Sequence, residues 1–590
     1  MSWLSDSSGI ISGAWVSSAY PGHGILGAYV PVTGTNGGSI IALCTTVDPA
    51  KEYRLEVVSL PSGMTLNEDG SGSGTASGVA SLRIFEDGID LGLFTVTIVI
   101  PETETPGGGG DVTPMEDAFL RAMRRAARRR TQRATAERHV NYMLKASEPT
   151  REKAGFYREQ VPGLLLGINV GGGAVRGVFT AGERAFVVIG SYLYEMYEDW
   201  SMVQRGTLLT NTGRIDMAQG LLSLVVVDGP YGYILTLGTN AFGRITDVDF
   251  YGSNRVSFLD GKFIFSRPET QQFYWSSSVD QAENYDALDF ASAESFPDKI
   301  VAHLVDHREL WLVGERSIEI WLPNPLGDQV YQRNSGATIE VGCASTHSLQ
   351  QIDNTVVWIG RDKQGQGIVW MAGGGNGYTP QRISTNDIED DLSAMGDLSA
   401  AYAWTYQDAG QTFYVLQVPG VDTTWVWDAS TRKWHERAEY TGGDLEPWRA
   451  DCHMFAFGRH VVGDGQGRLY ELTPYEYTYA GSAMYREWTS PHQSGPQRRR
   501  VFFGSLRLDI TAGETDSGLD PQMEMRYSND GGYTWGAWTA RSTGRIGQYG
   551  QQVKWDRNGH GRDRVWQFRT TDDAKVSIIG MAVEAQEASS

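Results

Sequence analysis

The sequence predicts a mainly β protein with a β-propeller of six or seven blades, a C-terminal β-sandwich, an N-terminal immunoglobulin-like β-sandwich and one basic helix. Three observations support this prediction. The chain of 590 residues is too long for a single core. Glycine (71 residues) and tryptophan (18 residues) are abundant, which favours a turn-rich β fold. Paired strand-like segments recur about every forty to fifty residues from Gly163 onward, a period typical of propeller blades.

The N-terminal region, residues 1–103, predicts a small immunoglobulin-like sandwich. Its strand-like segments, such as SIIALCTTV and GLFTVTIVI, are rich in Val, Ile, Leu and Thr. Turn-forming stretches such as NEDGSGSGTASG separate them. The region ends at PETETPGGGG, residues 101–110, whose composition is typical of a linker between separate units.

Residues 104–160 continue from this linker into a predicted basic helix. The stretch TPMEDAFLRAMRRAARRRTQRATAERHVNYMLKAS starts with Thr-Pro and places Glu116 and Asp117 in the first turn, where the helix dipole favours acids. Its apolar stripe is too thin for a core helix, so its basic face is either solvated or docks onto an acidic partner or DNA phosphates. The candidate interface residues are Arg121, Arg124, Arg125, Arg128, Arg129, Arg130 and Arg133.

Two further β regions complete the chain. Residues 161–480 carry the repeat, in which Asp-Gly and similar turns join the strands of each predicted blade. The aromatic residues of TTWVWDASTRKWHER are expected to pack between neighbouring blades. Residues 481–590 contain alternating segments such as RVFFGSLRLDI and RVWQFRTT, which predict the C-terminal sandwich.

Charge and motifs argue against several classes of function. The net charge of −21 disfavours a protein that coats nucleic acid by charge, although it permits a channel through which DNA slides. Phosphate-binding, zinc-protease, EF-hand and nucleophile-elbow motifs are missing, so we expect no catalytic residues, no cofactor and no metal site. His303 and His307 are expected to be structural. Cys44, Cys343 and Cys452 are expected to be buried core residues. No apolar run of about 18 residues predicts a membrane span.

One local motif, SNDGGYTW at residues 528–535, fits the Asp-box pattern Ser-x-Asp-x-Gly-x-Thr-Trp. Its predicted role is a structural turn formed by Ser528, Asp530, Gly532 and Trp535. Asp530 can accept backbone N–H groups across the turn, and the glycines can supply positive φ. Asp-boxes are best known from sialidases, so a propeller glycosidase acting through two carboxylates remains an alternative. A carbohydrate-binding adhesin that uses residues 1–103 is a second alternative.

Several segments together resemble a known family. The C-terminal region contains GQYG at residues 547–550, Trp555, RDRV at 562–565 and IIG at 578–580. Central segments such as FLDGKFIFSRPETQQFYWS and GCASTHSLQQIDNTVVWIG are also similar to the family core. These segments resemble the tail hub, or nozzle, proteins of short-tailed bacteriophages, the packaged-DNA stabilisation family. The similarity extends from about Gly163 to Ala585.

The resemblance implies a structural protein of the virion tail, assembled in the host cytoplasm. Members commonly form a ring of six copies below the portal and its adaptor proteins. They extend the DNA channel, help to retain and then conduct the packaged genome, and carry the needle, fibres or spikes. Genomic DNA would pass without sequence-specific binding. The N-terminal sandwich and the basic helix depart from the simplest members of the family.

Overall fold

The structure, a computed structural model, describes residues 137–146, 155–324, 329–361, 365–374, 377–495, 498–514 and 519–587, together with backbone strands between residues 12 and 98. The chain divides into two units, Met1–Met115 and Glu116–Ser590. The seven arginines proposed as interface residues, Arg121 to Arg133, lie outside the described residues, so their helix stays a prediction.

The first unit contains eight β-strands that pair in antiparallel fashion in three small sheets, β1-β2-β3, β4-β7-β8 and β5-β6. The strands are β1 (Ser12–Val16), β2 (Gly24–Val30), β3 (Gly38–Cys44), β4 (Tyr53–Ser59), β5 (Met64–Leu66), β6 (Gly72–Gly74), β7 (Gly78–Glu86) and β8 (Ile89–Ile98). A β composition agrees with the sequence, while the immunoglobulin-like arrangement stays a prediction.

The described residues of the second unit form four strands before the repeat. They are β9 (Arg138–Val140), β10 (Tyr142–Ala146), β11 (Phe156–Gln160) and β12 (Gly163–Asn169). The predicted helix extended to residue 147, and this part of the prediction is wrong. Asn141, with a φ of 54°, interrupts the backbone between β9 and β10. β9 pairs with β36 and β43, hundreds of residues away, and β10 pairs with β11, which in turn pairs with β50. Such tertiary pairing overrides local helix propensity.

The repeat region folds into antiparallel sheets, which we number as blades in chain order. Blade 1 consists of β13 (Val175–Ala181), β14 (Arg184–Ile189), β15 (Tyr192–Met196) and β16 (Met202–Thr207). Blade 2 consists of β17 (Asp216–Gln219), β18 (Ser223–Val227), β19 (Gly232–Thr236) and β20 (Phe242–Arg244). Blade 3 consists of β21 (Val256–Leu259), β22 (Lys262–Ser266), β23 (Gln272–Trp275) and β24 (Phe290–Ser292). In each blade, the first strand is the inner one.

Blades 4 and 5 have the same four-stranded order. Blade 4 consists of β25 (Ile300–Asp306), β26 (Glu309–Gly314), β27 (Ile318–Pro323) and β28 (Tyr331–Ile339). Blade 5 consists of β29 (Gln350–Ile352), β30 (Thr355–Arg361), β31 (Gly367–Gly373) and β32 (Gln381–Arg382). A helix, α1 (Asn386–Met395), follows blade 5 and packs against it through Ile388 and Leu392. Blade 6 consists of β33 (Tyr402–Asp408), β34 (Gln411–Gln417), β35 (Thr424–Asp428) and β36 (Lys433–Thr441), and β37 (Asp444–Pro447) forms a hairpin with β36.

Blade 7 is completed by a strand from the start of the unit. Its first three strands are β38 (Cys452–Ala456), β39 (Arg459–Gly463) and β40 (Arg468–Thr473), and β41 (Thr478–Tyr479) and β42 (Ser482–Ala483) extend the sheet. The fourth strand is β12, which pairs antiparallel with β40 from Gly163–Thr473 to Asn169–Arg468. The ends of the propeller are therefore held together within one sheet.

The inner strands form a closed ring. Each inner strand contacts the next, in the order β13, β17, β21, β25, β29, β33 and β38, and β38 contacts β13. The described residues thus form a seven-bladed propeller, which confirms the predicted fold class. Its core lies between blades, as the aromatic pattern predicted: Trp425 and Trp427 of blade 6 pack against Ile359 and Val369 of blade 5.

The C-terminal sandwich has two sheets around one buried core. Its strands are β43 (Arg486–Thr489), β44 (Val501–Ile510), β45 (Gln522–Ser528), β46 (Thr539–Ser542), β47 (Val553–Asp556), β48 (His560–Gly561), β49 (Val565–Thr570) and β50 (Ile578–Glu587). One sheet has the order β10-β11-β50-β44-β47, and the other contains β43-β49-β45-β46. The strands Tyr142–Ala146 and Phe156–Gln160 therefore belong to the sandwich rather than to a linker and helix. Trp488, Phe503, Trp555 and Phe568 pack between the sheets.

Candidate functional site at the propeller–sandwich junction

A single strand, β9, joins the propeller to the sandwich. It pairs in parallel with β36 of blade 6 through Val140 and Glu436, and antiparallel with β43 through Val140 and Glu487. Blade 6 and one sheet of the sandwich are thereby continuous in one ten-stranded sheet. Because hydrogen-bonded strands cannot rotate freely about each other, this seam fixes the two domains together.

Asn141 is the polar centre of this junction and is fully buried. Its Nδ2 donates to the carbonyl oxygens of Ala438 and Tyr485, both at 2.7 Å. Its Oδ1 accepts from Ala438 N at 3.1 Å and from Tyr479 Oη at 2.8 Å. Its backbone N–H donates to the carbonyl of Glu436 at 2.8 Å. One side chain thus bonds to blade 6, to the sandwich and to the extension of blade 7, and asparagine also tolerates the positive φ.

Arginines reinforce the junction on both sides. Arg138 donates from Nε and Nη2 to the two carboxylate oxygens of Glu436, at 2.6 and 2.5 Å. Burial alone would lower the pKa of Arg138, but Glu436 and Glu487 raise it above its usual value. Arg486 is fully buried and donates to Gln160 Oε1 at 2.7 Å and to the carbonyl of Ala574 at 2.6 Å. A bidentate arginine–carboxylate pair fixes orientation as well as charge.

The propeller axis is crossed by side chains. Arg214, just before β17 of blade 2, donates to the carbonyl of Asp451 in blade 7 at 3.1 Å and lies 3.1 Å from the ring centroid of Tyr402 in blade 6. Arg255, just before β21 of blade 3, donates to the carbonyl of Leu349 before blade 5 at 3.3 Å. Because blades 2 and 6 are not neighbours in the ring, these contacts cross the axis.

The carboxylates beside these arginines already have partners in the protein. Tyr402 Oη donates to Asp451 Oδ1 at 2.5 Å, and burial raises the pKa of Asp451. Asp216 Oδ2 accepts from Val256 N at 3.0 Å and lies 3.5 Å from Arg255 Nε. A glycosidase needs one carboxyl group as an acid and another as a nucleophile or base, both facing substrate. Asp451 and Asp216 do not form such a free pair, so they do not support the glycosidase alternative.

The Asp-box residues come together in the connection between β45 and β46. Ser528 Oγ donates to Asp530 Oδ1 at 2.6 Å, and Gly532 N donates to Ser528 Oγ at 2.8 Å. Asp530 also accepts from the backbone N–H groups of Tyr533 at 3.0 Å and Thr534 at 2.9 Å, and from Thr534 Oγ1 at 2.6 Å. Burial would raise the pKa of Asp530, but these hydrogen bonds hold it below its ordinary value.

Glycine and tryptophan complete the turn. Gly531 and Gly532 have φ values of 82° and 97°, which side chains disfavour. Trp535 lies against Gly532, and the guanidinium of Arg526 lies 4.9 Å from the Trp535 ring centroid and 4.3 Å from that of Trp538. Every acceptor oxygen of Asp530 is used within the turn, so the geometry is that of a structural hairpin.

Other candidate residues are separated by the fold. His303 is fully buried with Ser266 Oγ 3.3 Å from its Nδ1, whereas His307 is exposed and pairs with Asp306. The described residues contain no group of three or more His, Cys, Asp or Glu side chains that could hold a metal ion. Cys343 and Cys452 are buried and free, as expected. No helix in the described part of the chain is long and apolar enough to cross a membrane.

Sequence reasoning missed the junction residues. Asn141 and Arg138 lay in a stretch dominated by arginines, which favoured a helix. Arg486 lay in a segment without a recognisable motif. The available signal was the short apolar cluster within the basic stretch, where Val140, Tyr142 and Met143 are buried.

The fold and this site define a class. A seven-bladed propeller is fused through a shared sheet to a sandwich, and its junction and axis are filled by side chains that pair with one another. These features are those of a rigid structural protein. A family model described as the β-propeller of bacteriophage P22 Gp10 matches residues 131–476, and another described as its β-sandwich matches residues 493–586. The chain belongs to the bacteriophage P22 Gp10 family, whose members are structural proteins of the phage tail.

Solved structures show weaker likenesses. The WD40 domain of Neurospora crassa Pan2 is 8% identical, with a TM-score of 0.32, over 51% of this chain and 88% of that one. PorZ of Porphyromonas gingivalis is 12% identical, with a TM-score of 0.32, over 65% of this chain and 46% of the PorZ chain. The N-terminal domain of Nup159 is 9% identical, with a TM-score of 0.33, over 56% of this chain and 97% of the Nup159 chain. A search of curated protein sequences finds no match.

Proposed function

We propose that this protein is the tail hub, or nozzle, of a short phage tail. In this role, six copies form a ring below the portal and adaptor proteins, extend the DNA channel, retain the packaged genome and later conduct it out. The ring would also anchor the needle, fibres or spikes, and the protein would reside in the tail of the virion. Membership of the P22 Gp10 family is the observation that carries the proposal.

The closed axis of the propeller supports a channel formed between copies. Arg214 and Tyr402 are in contact across that axis, so a DNA duplex cannot pass through a single propeller. A passage for DNA must then be enclosed by several subunits arranged around a common axis. A closed ring of identical copies is the usual symmetric way to build such an enclosure.

The junction supports a mechanical role for the protein in the tail. β9, Asn141 and Arg138 join the propeller and the sandwich by backbone pairing, buried hydrogen bonds and a bidentate ion pair. A wall that holds pressurised DNA has to resist shear between its domains. The net charge of −21 fits a wall that repels DNA and therefore lets it slide.

The test has a structural part and a biological part. Electron microscopy of virions, with this protein labelled through an antibody to residues 1–103, should show labelled rings of six copies below the portal. Phage grown without the protein should package DNA and then lose it from the head. A protein that is absent from virions, or heads that keep their DNA without it, would overturn the proposal.

A further inference from the structure

Two loops form one surface on blades 2 and 3, which we call the acidic ridge and define as residues 247–249 and 279–289. The first loop lies before β21, and the second joins β23 to β24. Tyr285 ties them together, because its backbone N–H donates to Asp247 Oδ2 at 3.1 Å. Its ring centroid lies 5.2 Å from that of Phe250 and 5.8 Å from that of Phe265. The ridge therefore has a fixed, packed base.

Apolar side chains on the ridge are unusually open to solvent. Val248 is 89% exposed, Leu288 is 82% exposed and Val279 is 63% exposed. Single exposed apolar residues are ordinary on a protein surface. Several on two loops tied together by one hydrogen bond form a patch, and such patches rimmed by polar groups mark interaction surfaces.

The carboxylates around these side chains bond only to neutral donors. Asp247 accepts from Asp249 N, Glu283 accepts from Ala282 N, and Asp286 accepts from Leu288 N. Asp249 and Asp289 accept from the hydroxyl groups of Tyr251 and Ser277. Elsewhere the protein pairs its carboxylates with arginine, as at Glu436. The ridge thus keeps a dense negative charge that the described residues do not neutralise.

A buried hydroxyl group on the ridge lacks a partner. Tyr285 is 7% exposed, and its Oη has no hydrogen-bond partner among the described residues. Burial, together with Tyr274, Glu283 and Asp247, raises the pKa of Tyr285. An unpaired buried hydroxyl group destabilises the folded state, because it has lost its hydrogen bonds to water without gaining others. A cation that donates to this oxygen while it pairs with the carboxylates would remove that destabilisation.

The chemistry of the ridge selects arginine over lysine. A guanidinium group has a planar fork of five donors, pairs in a bidentate manner with carboxylates and is weakly hydrated, so it also packs on apolar and aromatic surface. The chain itself carries a matching segment, residues 121–133, with seven arginines. Leu120 and Met123 beside them are apolar, as are Val248 and Leu288 of the ridge.

The segment is attached too far from the ridge of its own chain. It joins the described structure at Glu137, next to β9 and blade 6, whereas the ridge lies on blades 2 and 3 across the ring. Arg133 can lie at most about 14 Å from Glu137, because an extended residue spans about 3.5 Å, and the rest of the segment, as the predicted helix, adds only about 1.5 Å for each residue. A neighbouring copy has no such restriction.

We propose that the acidic ridge of one copy binds the arginine-rich segment of the next copy in the ring. This inference rests on the ring proposed above. The contact is heterologous, because one surface binds a different surface of the neighbour, and such contacts close into rings.

The experiment uses two charge-reversed forms of the full chain. The first carries Glu283→Lys and Asp286→Lys on the ridge, and the second carries Arg124→Glu and Arg128→Glu in the segment. Sedimentation velocity over a concentration series measures association. Each form alone should associate about tenfold more weakly than the wild type, a loss of about 1.4 kcal/mol. A matched control, Glu183→Lys with Glu446→Lys, reverses two exposed charges elsewhere and should associate normally.

Mixing the two forms gives the decisive result. In a contact between copies, each altered ridge can meet an altered segment and each normal ridge a normal segment, so the mixture should associate like the wild type. If the contact lay within one chain, the mixture would stay weakly associated, and association would return only when all four changes were combined in one chain. That outcome would overturn the inference. Unchanged association of either form would overturn it as well, while leaving the ring intact. A wild type that never associates would overturn both proposals.

Discussion

Removal of the Asn141 side chain should uncouple the propeller from the sandwich. The change Asn141→Ala deletes the hydrogen bonds to Ala438, Tyr485 and Tyr479 described above. The groups left behind are buried and cannot turn to solvent. The substitution therefore acts on the two domains at once, at the seam where β9 joins them.

The expected loss can be worked out from the structure. Four side-chain hydrogen bonds at about 1 kcal/mol each account for about 4 kcal/mol. Alanine at a φ of 54° costs about 1 kcal/mol more, because the left-handed region disfavours a Cβ. The total of about 5 kcal/mol approaches the stability of a whole domain.

Calorimetry and hydrogen exchange measure this effect. The wild type should unfold the propeller and sandwich in one transition, because one sheet runs through both, whereas Asn141→Ala should show two. Exchange of the Ala438 amide, which donates to Asn141 Oδ1, should accelerate by more than about a thousandfold. Asn141→Gly separates the two contributions, since glycine accepts a positive φ, and should be about 1 kcal/mol less destabilising than alanine. A single transition at the wild-type temperature, with unchanged exchange, would refute the reasoning.

Three other changes test separate features of the fold. Burial, followed by the charge of Arg255, lowers the pKa of His303 to about 3. The folded pKa lies below the unfolded value, so stability falls as pH falls below about 6.5, by about 2 kcal/mol at a pH of about 5. His303→Gln should remove that amount from the pH dependence of the urea midpoint, and an unchanged dependence would contradict this. Asp530→Ala should cost about 1–2 kcal/mol and speed hydrogen exchange in β46, whereas equal exchange rates would argue against a structural hairpin. Gly342→Ala would bring a Cβ into steric overlap with the backbone carbon of Glu315 and should lower the melting temperature sharply, while Gly336→Ala, whose Cβ meets nothing closer than 3.8 Å, should not.

Local features of the fold could be predicted from the sequence. The Asp-box turn depends on residues within seven positions of one another, so Ser528, Asp530 and the glycines specify it almost alone. The blades likewise follow from alternating strands and turns that are close in sequence. The aromatic side chains of blade 6 lie between blades because strands of this type bury both faces.

Features that depend on distant pairing could not be predicted in this way. Residues 138–146 contain good helix formers, yet the partners of β9 in β36 and β43 lie about 300 residues or more away, and only the folded chain brings them together. The axis cluster is a similar case, since Arg214 meets Tyr402 and Asp451 only when the ring is closed. No spacing of residues in the sequence predicts such a contact.

The position of β12 in blade 7 has a consequence for synthesis. Strands β9 to β12 leave the ribosome early, but β12 pairs with β40, β9 with β43, and β11 with β50 near residue 578. β9 and β12 must wait without their partner strands, and β11, which can pair early with β10, must wait for β50, while several hundred further residues are made. A chain broken off before residue 578 cannot complete the sandwich, and one broken off before residue 468 cannot close the ring of blades. The fold thus acts as a length check, through which only fully translated subunits are competent to enter a particle.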